Sequence, residues 1–289
     1  MKYYAYYPGC SSDATAAGLG ISAQAIAKHL DMELIELEDW NCCGSTPYGS
    51  LDELESIAVV ARNLALAEKT GLDLVTPCSS CFVTLTEANL HLKEYRQLMS
   101  QVNEALAVAN LEYNGNVQVR LLLEVLINDI TPETIAAKVK RPLSGLKVAP
   151  YYGCQEARPN YGFDNPGFPQ SLDRLVESLG ADVVPYPLKN HCCGGALVIS
   201  EEDLALELMH KLLANAVNSG AQCITTPCPL CQTNLDAYQG RVNSKFKTNY
   251  NLPILFATQL MGIAFGLNSE DLGLKTNIIP PQKVLAEYL

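Results

Sequence analysis

Positive charge is in short supply in this chain: 20 Lys and Arg stand against 31 Asp and Glu, a formal net charge of −11. That balance argues against a nucleic-acid-binding surface and against affinity for anionic membranes, which need clustered basic residues. Long apolar runs are missing too. Residues 253–256 and 260–267 are apolar, but each falls short of the about 20 residues that span a bilayer. Together they predict a strand followed by a helix, and the chain is expected not to be an integral membrane protein. No secretory leader opens the sequence, because Met1-Lys2-Tyr3-Tyr4 runs straight into a strand-like stretch. A cytoplasmic protein is expected, with any membrane association arising through a complex. The ferredoxin run C-x2-C-x2-C-x3-C is absent, and so is a flavin motif. The string Gly18-Leu19-Gly20-Ile21-Ser22-Ala23 has dinucleotide-loop spacing, yet it begins eight residues after a cysteine, inside an amphipathic helical pattern. No flavin or nucleotide is therefore expected on this chain.

Cysteine is what the sequence has. Ten of its 11 cysteines form one pattern written twice: Cys10, Cys42-Cys43 and Cys78-x-x-Cys81, then Cys154, Cys192-Cys193 and Cys228-x-x-Cys231. In both copies 34 residues separate the vicinal pair from the C-x-x-C, and these two features recur at an offset of 150. The flanks recur as well, with Gly9 and Gly153, Gly44 and Gly194, Thr76-Pro77 and Thr226-Pro227. A repeat that keeps ligand-type residues while the rest diverges implies the same metal object in each half.

Thiolates are soft ligands that select zinc, copper(I) or iron–sulfur clusters. A structural zinc takes four ligands, typically from two C-x-x-C knuckles about 15–20 residues apart. Here each half has one knuckle, and the next lies 150 residues away. Neighbouring side chains diverge along an extended backbone, so a vicinal pair grips two irons of a cluster more readily than a single ion. An ordinary [4Fe–4S] cube uses four cysteines, yet each half offers five. The surplus thiol implies either an unusual cluster or a reactive site beside one. A disulfide scaffold fits poorly: disulfide density belongs to small secreted domains, and 289 residues with 48% hydrophobic content bury a core without staples. Cys223, left over, reads as a small buried hydrophobe. His191, directly before the second vicinal pair, reads as a loop residue capping backbone, with a proton donor as the alternative. The tyrosines at 3, 4, 6 and 7 read as strand packing.

The fold expected is α/β, with two pseudo-symmetric, Rossmann-like domains of mostly parallel sheet, residues 1–141 and 146–289. The basic, Pro-containing junction from Lys138 to Gly145 separates them. Strands are expected at 2–7, 32–37, 72–76, 146–152, 181–186 and 222–226. A capping box of Ser50 with Glu53 is expected to start a helix that runs to Gly71, and Ser200 with Asp203 to start its counterpart, ending at Gly220. Further helices are expected over 82–95 and 232–238. Each cysteine then follows the C-terminal end of a strand, the edge at which open α/β sheets bind ligands. Three loops can converge five thiolates there, close to helix N-termini. Two such edges facing one another would leave a cleft between two metal groups.

One Cys, then Cys-Cys-Gly, then C-x-x-C, present twice, resembles the CCG-domain family and is especially similar to the B subunits of heterodisulfide reductases. The resemblance covers essentially the whole chain. It includes Tyr7-Pro8-Gly9-Cys10, Asp39-Trp40-Asn41-Cys42-Cys43-Gly44, Ala61-Arg62-Asn63, the stretch from Arg141 to Val148, Ser171-Leu172-Asp173-Arg174-Leu175 and Gln259-Leu260-Met261-Gly262. It implies a non-cubane [4Fe–4S] cluster in each half, one held by Cys10, Cys42, Cys43, Cys78 and Cys81, the other by Cys154, Cys192, Cys193, Cys228 and Cys231. In the methanogen enzymes the two clusters flank the disulfide of coenzyme M and coenzyme B, and each passes one electron to one sulfur. Methanogen members can carry Cys-Cys-Pro where this chain has Cys42-Cys43-Gly44, a departure that leaves the substrate open. Similar subunits serve sulfur-oxidising and electron-bifurcating complexes and unusual succinate or fumarate reductases, and related proteins act in glycolate and lactate oxidation.

By resemblance, electrons arrive from two partner subunits, one ferredoxin-like with iron–sulfur clusters and one bearing flavin, and a small disulfide or thiol is the substrate. The resemblance thus implies the catalytic subunit of a disulfide-reducing or thiol-oxidising complex. An electron-transfer, quinone-reducing subunit of a succinate dehydrogenase or fumarate reductase type is the alternative. It would need a membrane-facing amphipathic helix, for which residues 260–267 are the candidate. A structural metal-binding module without turnover is the third reading.

Overall fold

The computed structural model describes residues 1–45, 50, 52–157, 159 and 161–289. Strands β1 (Lys2–Tyr6), β2 (Met32–Glu36), β3 (Leu74–Thr76) and β4 (Val119–Leu121) form one sheet in the order β2-β1-β3-β4. Strands β5 (Lys147–Pro150), β6 (Asp182–Val183), β7 (Cys223–Thr226) and β8 (Ile254–Phe256) form another in the order β6-β5-β7-β8. Every pairing is parallel, with Tyr4 opposite Leu34, Val75 opposite Arg120, Val148 opposite Cys223 and Thr225 opposite Leu255. Parallel sheets are covered on both faces, and β3, β7 and β8 accordingly have every residue buried. The α/β class and the two pseudo-symmetric, Rossmann-like parallel sheets agree with the sequence reading.

Among the described residues, the helices of the first half are α1 (Ala17–His29), α2 (Glu53–Glu68), α3 (Ser79–Glu94), α4 (Arg96–Ala107), α5 (Leu122–Val125) and α6 (Pro132–Lys138). Those of the second are α7 (Gly153–Ala157), α8 (Ser171–Ser178), α9 (Glu202–Asn218), α10 (Pro229–Ala237), α11 (Gln239–Phe246), α12 (Ala257–Ala264) and α13 (Gln282–Leu285). Two expected caps are corrected. Asp52, not Ser50, caps α2, its carboxylate accepting from Glu55 N at 2.9 Å. Glu201, not Ser200, precedes α9 and makes no side-chain cap, and the Asp203 carboxylate pairs with Lys245 at 2.5 Å.

Three large apolar clusters follow, beside a small one of Ala16, Leu19 and Phe256. One lies within the first half around Leu64, Leu74 and Leu85, and one within the second around Leu212, Ile224 and Ile254. The third runs through both halves, joining Tyr4, Ile26 and Leu121 to Val148, Leu172 and Leu260. Helix α12 packs on α1 and is buried on every side. A helix buried on every side belongs in a core, so residues 260–264 of the stretch 260–267 are packed inside the chain rather than presented to a membrane. Fully burying a side chain such as Leu260 or Phe265 contributes about 1.5–3 kcal/mol. Gly18 belongs to this seam as well: a Cβ there would stand 2.8 Å from both Gln259 Nε2 and Thr276 Oγ1, whereas Gly20 faces Ser12 of its own half. Close packing of α1 explains its glycine at 18. The junction between the halves is pinned, with Lys140 N and Arg141 N both donating to Ala264 O at 2.9 Å.

Candidate metal centres

The strand order explains why the cysteines meet. In the first sheet β1 is central, and the chain leaves it to β2 on one side and later to β3 on the other. Ligands of such sheets bind beyond the strand C-termini where the order reverses. Cys10 follows β1, Cys42 and Cys43 follow β2, and Cys78 follows β3. The second sheet repeats this with β5, β6 and β7 leading to Cys154, to Cys192 and Cys193, and to Cys228. Three adjacent strand ends thus deliver five sulfurs to one place, twice.

Cys10 Sγ lies 3.9 Å from Cys42 Sγ, Cys43 is hydrogen-bonded to Cys81 and Cys42, and Cys81 to Cys78. In the second site Cys193 Sγ lies 3.6 Å from Cys231 Sγ, Cys154 is hydrogen-bonded to Cys192, and Cys228 to Cys231. None of these is a disulfide, whose sulfurs would stand about 2.05 Å apart. Among the described residues no three His, Cys, Asp or Glu side chains surround one point as ligands of a single ion.

Local devices hold the sulfurs. Gly9 has φ 77°, and a Cβ there would stand 3.0 Å from Cys81 Sγ; Gly153 has φ 71° and the same approach to Cys231 Sγ at 2.9 Å. Only glycine lets the first cysteine's turn lie over the knuckle. Cys78 occupies the N-cap of α3, its sulfur accepting from Cys81 N at 3.4 Å, and Cys228 occupies the N-cap of α10. Helix N-termini favour the charged thiolate. Gly194 N donates to Cys192 Sγ at 3.3 Å.

Tyrosines brace both vicinal pairs. Tyr7 OH donates to Asn41 O and Tyr151 OH to His191 O, each at 2.7 Å, and both phenols belong to fully buried side chains. The strand-packing reading of Tyr7 missed this bond, because a phenol on a strand looks like core until its partner is seen. Asn63, also fully buried, clasps Asn41 through two hydrogen bonds at 3.0 Å, and Asn234 Nδ2 holds Cys193 O at 2.8 Å. His191 is exposed and contributes its backbone carbonyl to the site. Cys223 is fully buried on β7 and away from both sets, with burial alone pushing its thiol up to about 12.

A hydrogen bond from Cys81, foremost, draws Cys43 down to about 7, while Cys81 is raised well above a free thiol by its bonds to Cys43 and Cys78 and by burial. Cys193 is pushed up to about 12, first by Cys192. Burial and neighbouring sulfurs dominate these shifts, so five thiolates coexist only with a cationic partner among them. Five soft donors gathered at the strand ends of each half fit a thiophilic group larger than a single ion.

Two side chains without a signal in the sequence lie between the sites. Glu156 is 4% exposed; its Oε2 accepts from Ser79 Oγ of the first knuckle at 3.4 Å, and its Oε1 has no hydrogen-bond partner among the described residues. Burial holds its carboxyl well above the usual range. Near the seam, Pro77 and Pro227 line a small apolar cavity of about 20 Å³ with Leu19, Leu122, Leu126 and Ala257. A much larger hollow, about 900 Å³, is polar, open and lined by Glu68, Asn103 and Asn114, away from every cysteine.

Comparison with known proteins gives concordant results. The family described as CCG, cysteine-rich domain, matches residues 4–86 and again 148–236. The chain is 39% identical over 286 residues to the 8-methylmenaquinol:fumarate reductase membrane anchor subunit of Wolinella succinogenes, covering 98% of this chain and 99% of that protein. It is 32% identical over 292 residues to the B subunit of the ferredoxin/F420H2-dependent CoB-CoM heterodisulfide reductase of Methanosarcina acetivorans, covering 99% and 97%. A crystal structure of a hypothetical protein from Helicobacter pylori shares the fold, with a TM-score of 0.79 and 20% identity. That match covers 96% of this chain and about half, 52%, of the Helicobacter chain.

Proposed function

We propose a function from one premise: this chain belongs to the CCG family of cysteine-rich domains. It is the iron–sulfur catalytic subunit of a multi-subunit oxidoreductase of the heterodisulfide reductase type, reducing a disulfide or oxidising thiols. The supporting observation is the convergence of five sulfurs at the strand ends of each of two pseudo-symmetric sheets. The division into units 1–141 and 146–289 belongs to the same proposal. Cys10, Cys42, Cys43, Cys78 and Cys81 would hold one non-cubane [4Fe–4S] cluster, and Cys154, Cys192, Cys193, Cys228 and Cys231 the other. When bound, such clusters supply one-electron transfer. The chain's own residues do the rest: the glycine turns let the loops close over the knuckles, Tyr7 and Tyr151 fix the vicinal pairs, and three sulfurs of each set are buried while Cys10 and Cys42 stay exposed. Electrons would come from ferredoxin-like and flavin-bearing subunits.

The 39% relative favours a second reading, a quinol-linked electron-transfer subunit of a fumarate reductase type of complex. Among the described residues no helix is long and apolar enough to cross a membrane, so membrane attachment would run through the complex. Anaerobic purification decides first between cluster protein and other metal site: about eight irons per chain, about four per half, with matching acid-labile sulfide are expected. Stoichiometric zinc without sulfide would sink both readings. Oxidation of the reduced protein by small disulfides, compared with oxidation or reduction by menaquinone analogues, then separates one from the other.

A further inference from the structure

The two halves meet at their sites through two crossings that the internal repeat makes equivalent. Helix α3, which starts at the first knuckle, packs on α7, which carries Cys154; α10, which starts at the second, packs on the turn Cys10–Asp13 that carries the first cysteine. The side chains at the two crossings differ. At the α3 crossing Ser79, fully buried, donates to Glu156 Oε2 at 3.4 Å, and further along the helix Glu87 Oε1 accepts from Tyr161 OH at 3.0 Å. Between these bonds the Tyr161 ring meets the buried Phe82 ring edge-on, with centroids 6.3 Å apart.

The other crossing has none of these groups. In place of Ser79, Phe82 and Glu87, 150 positions on, stand Pro229, Gln232 and Ala237. Pro229 and Ala237 carry no polar side-chain atom, and Gln232 bonds within its own half, to Asp236 at 3.1 Å and to Ile254 O at 3.3 Å. Ser12, as far beyond Cys10 as Glu156 is beyond Cys154, donates to Pro8 O of its own turn at 2.8 Å. Counted the same way, Ala17 stands where the second half has Tyr161. These ties therefore run in one direction, from the second half to the first knuckle. They grip α3 at residues 79 and 87, about 12 Å apart along the helix. One bond would let the helix pivot, whereas two so separated fix its tilt as well as its position.

We propose that Glu156 and Tyr161 are positioning residues that hold α3, and with it the knuckle of the first site, at a fixed spacing from Cys154 of the second. The inference rests on the iron–sulfur reading above. Two sites that serve one substrate, or pass an electron between them, act together only at a set separation. Misplacing reacting groups by about 1 Å can cost on the order of a hundredfold in rate. The bonds on α3 join the very elements that carry sulfurs of the two sites, so they act on that separation directly.

The test is electron paramagnetic resonance of the anaerobically loaded full-length chain, poised where both sites carry unpaired spin. The magnetic interaction between two such centres falls with the cube of their separation, so it reports the spacing. Cys43→Ala and Cys193→Ala, each keeping one site, give the spectra without interaction. Wild type is expected to show a splitting absent from the sum of those two spectra. Ser79→Ala combined with Tyr161→Phe is expected to lose the sharp splitting and leave a broadened signal, at an unchanged iron content of about eight per chain. Glu87→Gln, which keeps an acceptor for Tyr161, retains the wild-type splitting. An unsplit wild-type spectrum, or a splitting unchanged in the double variant, overturns this inference alone. So does loss of iron from either half of the double variant, which would assign the contacts to assembly. A wild-type chain that takes up neither iron nor sulfide overturns the iron–sulfur reading and this inference with it.

Discussion

Gly9 sits at φ 77°, ψ 148°, a region essentially closed to residues with a Cβ, and its missing Cβ lies 3.0 Å from the Cys81 sulfur. Gly9→Ala therefore combines backbone strain with a collision on a site sulfur. It is expected to cost about 1–3 kcal/mol, read by thermal unfolding, and to lower metal uptake by the first half preferentially. Cys223→Ala is the contrasting case. It removes a buried sulfur from β7 without touching either set, so a loss of about 1 kcal/mol with unchanged metal content is expected. Loss of a metal group from that variant would show Cys223 to be a ligand. At this scale the cysteines were legible because a pattern of ten thiols written twice is spelled out in residues. Tyr7, Tyr151, Glu156 and Ser79 were not, because their roles are contacts across loops and halves, which no local spacing encodes.

Elements were legible where they were long enough to repeat a pattern. The expected strands at 2–7, 32–37 and 72–76 appear within two residues of their predicted ends, and three in the second half appear where the pattern placed them, though β6 is shorter than expected. β4, three residues long, carries too little alternation to stand out. The glycine string in α1 looked like a nucleotide loop because close packing and phosphate approach both ask for a residue without a side chain; the packing partner, Gln259, is 241 positions away. Beside its ladder to β3 and the buried Leu121, charge holds short β4. Arg120 on this strand pairs with Asp129 at 2.7 Å and Glu124 at 2.6 Å, and Tyr4 of β1 donates to Asp129 at 2.6 Å. The Arg120 guanidinium, chiefly, lowers Asp129 from 3.8 to about 2. A depressed carboxyl contributes stability that is complete above its ordinary value and is lost as pH falls through its folded one. Asp129→Asn should therefore flatten the acid-unfolding curve between about pH 4 and about pH 2, with its largest deficit near neutrality. An acid limb identical to wild type would remove the ion pair from the account of β4.

At the scale of the whole molecule, duplication and asymmetry make different demands. Each site is assembled by its own sheet, yet one apolar cluster and the Ser79–Glu156 bond run across the halves. Assembly should then be separable: Cys43→Ala and Cys193→Ala are each expected to lose about half of the iron, about four atoms, and leave the other set loaded. Turnover should not be separable. On the proposed disulfide-reducing reading, a disulfide would accept two electrons and each cluster would pass one, so two sites on either side of one S–S bond would give each sulfur an electron without a long-lived thiyl radical. Removing all five cysteines of one half should therefore abolish disulfide reduction, while the remaining half still binds metal and still undergoes one-electron reduction. The measurement is steady-state disulfide reduction beside iron content and single-turnover reduction of the same preparation. Near-wild-type turnover from a single loaded half would refute the paired scheme. It would leave one catalytic site and one relay, and which half survived alone would say which is which.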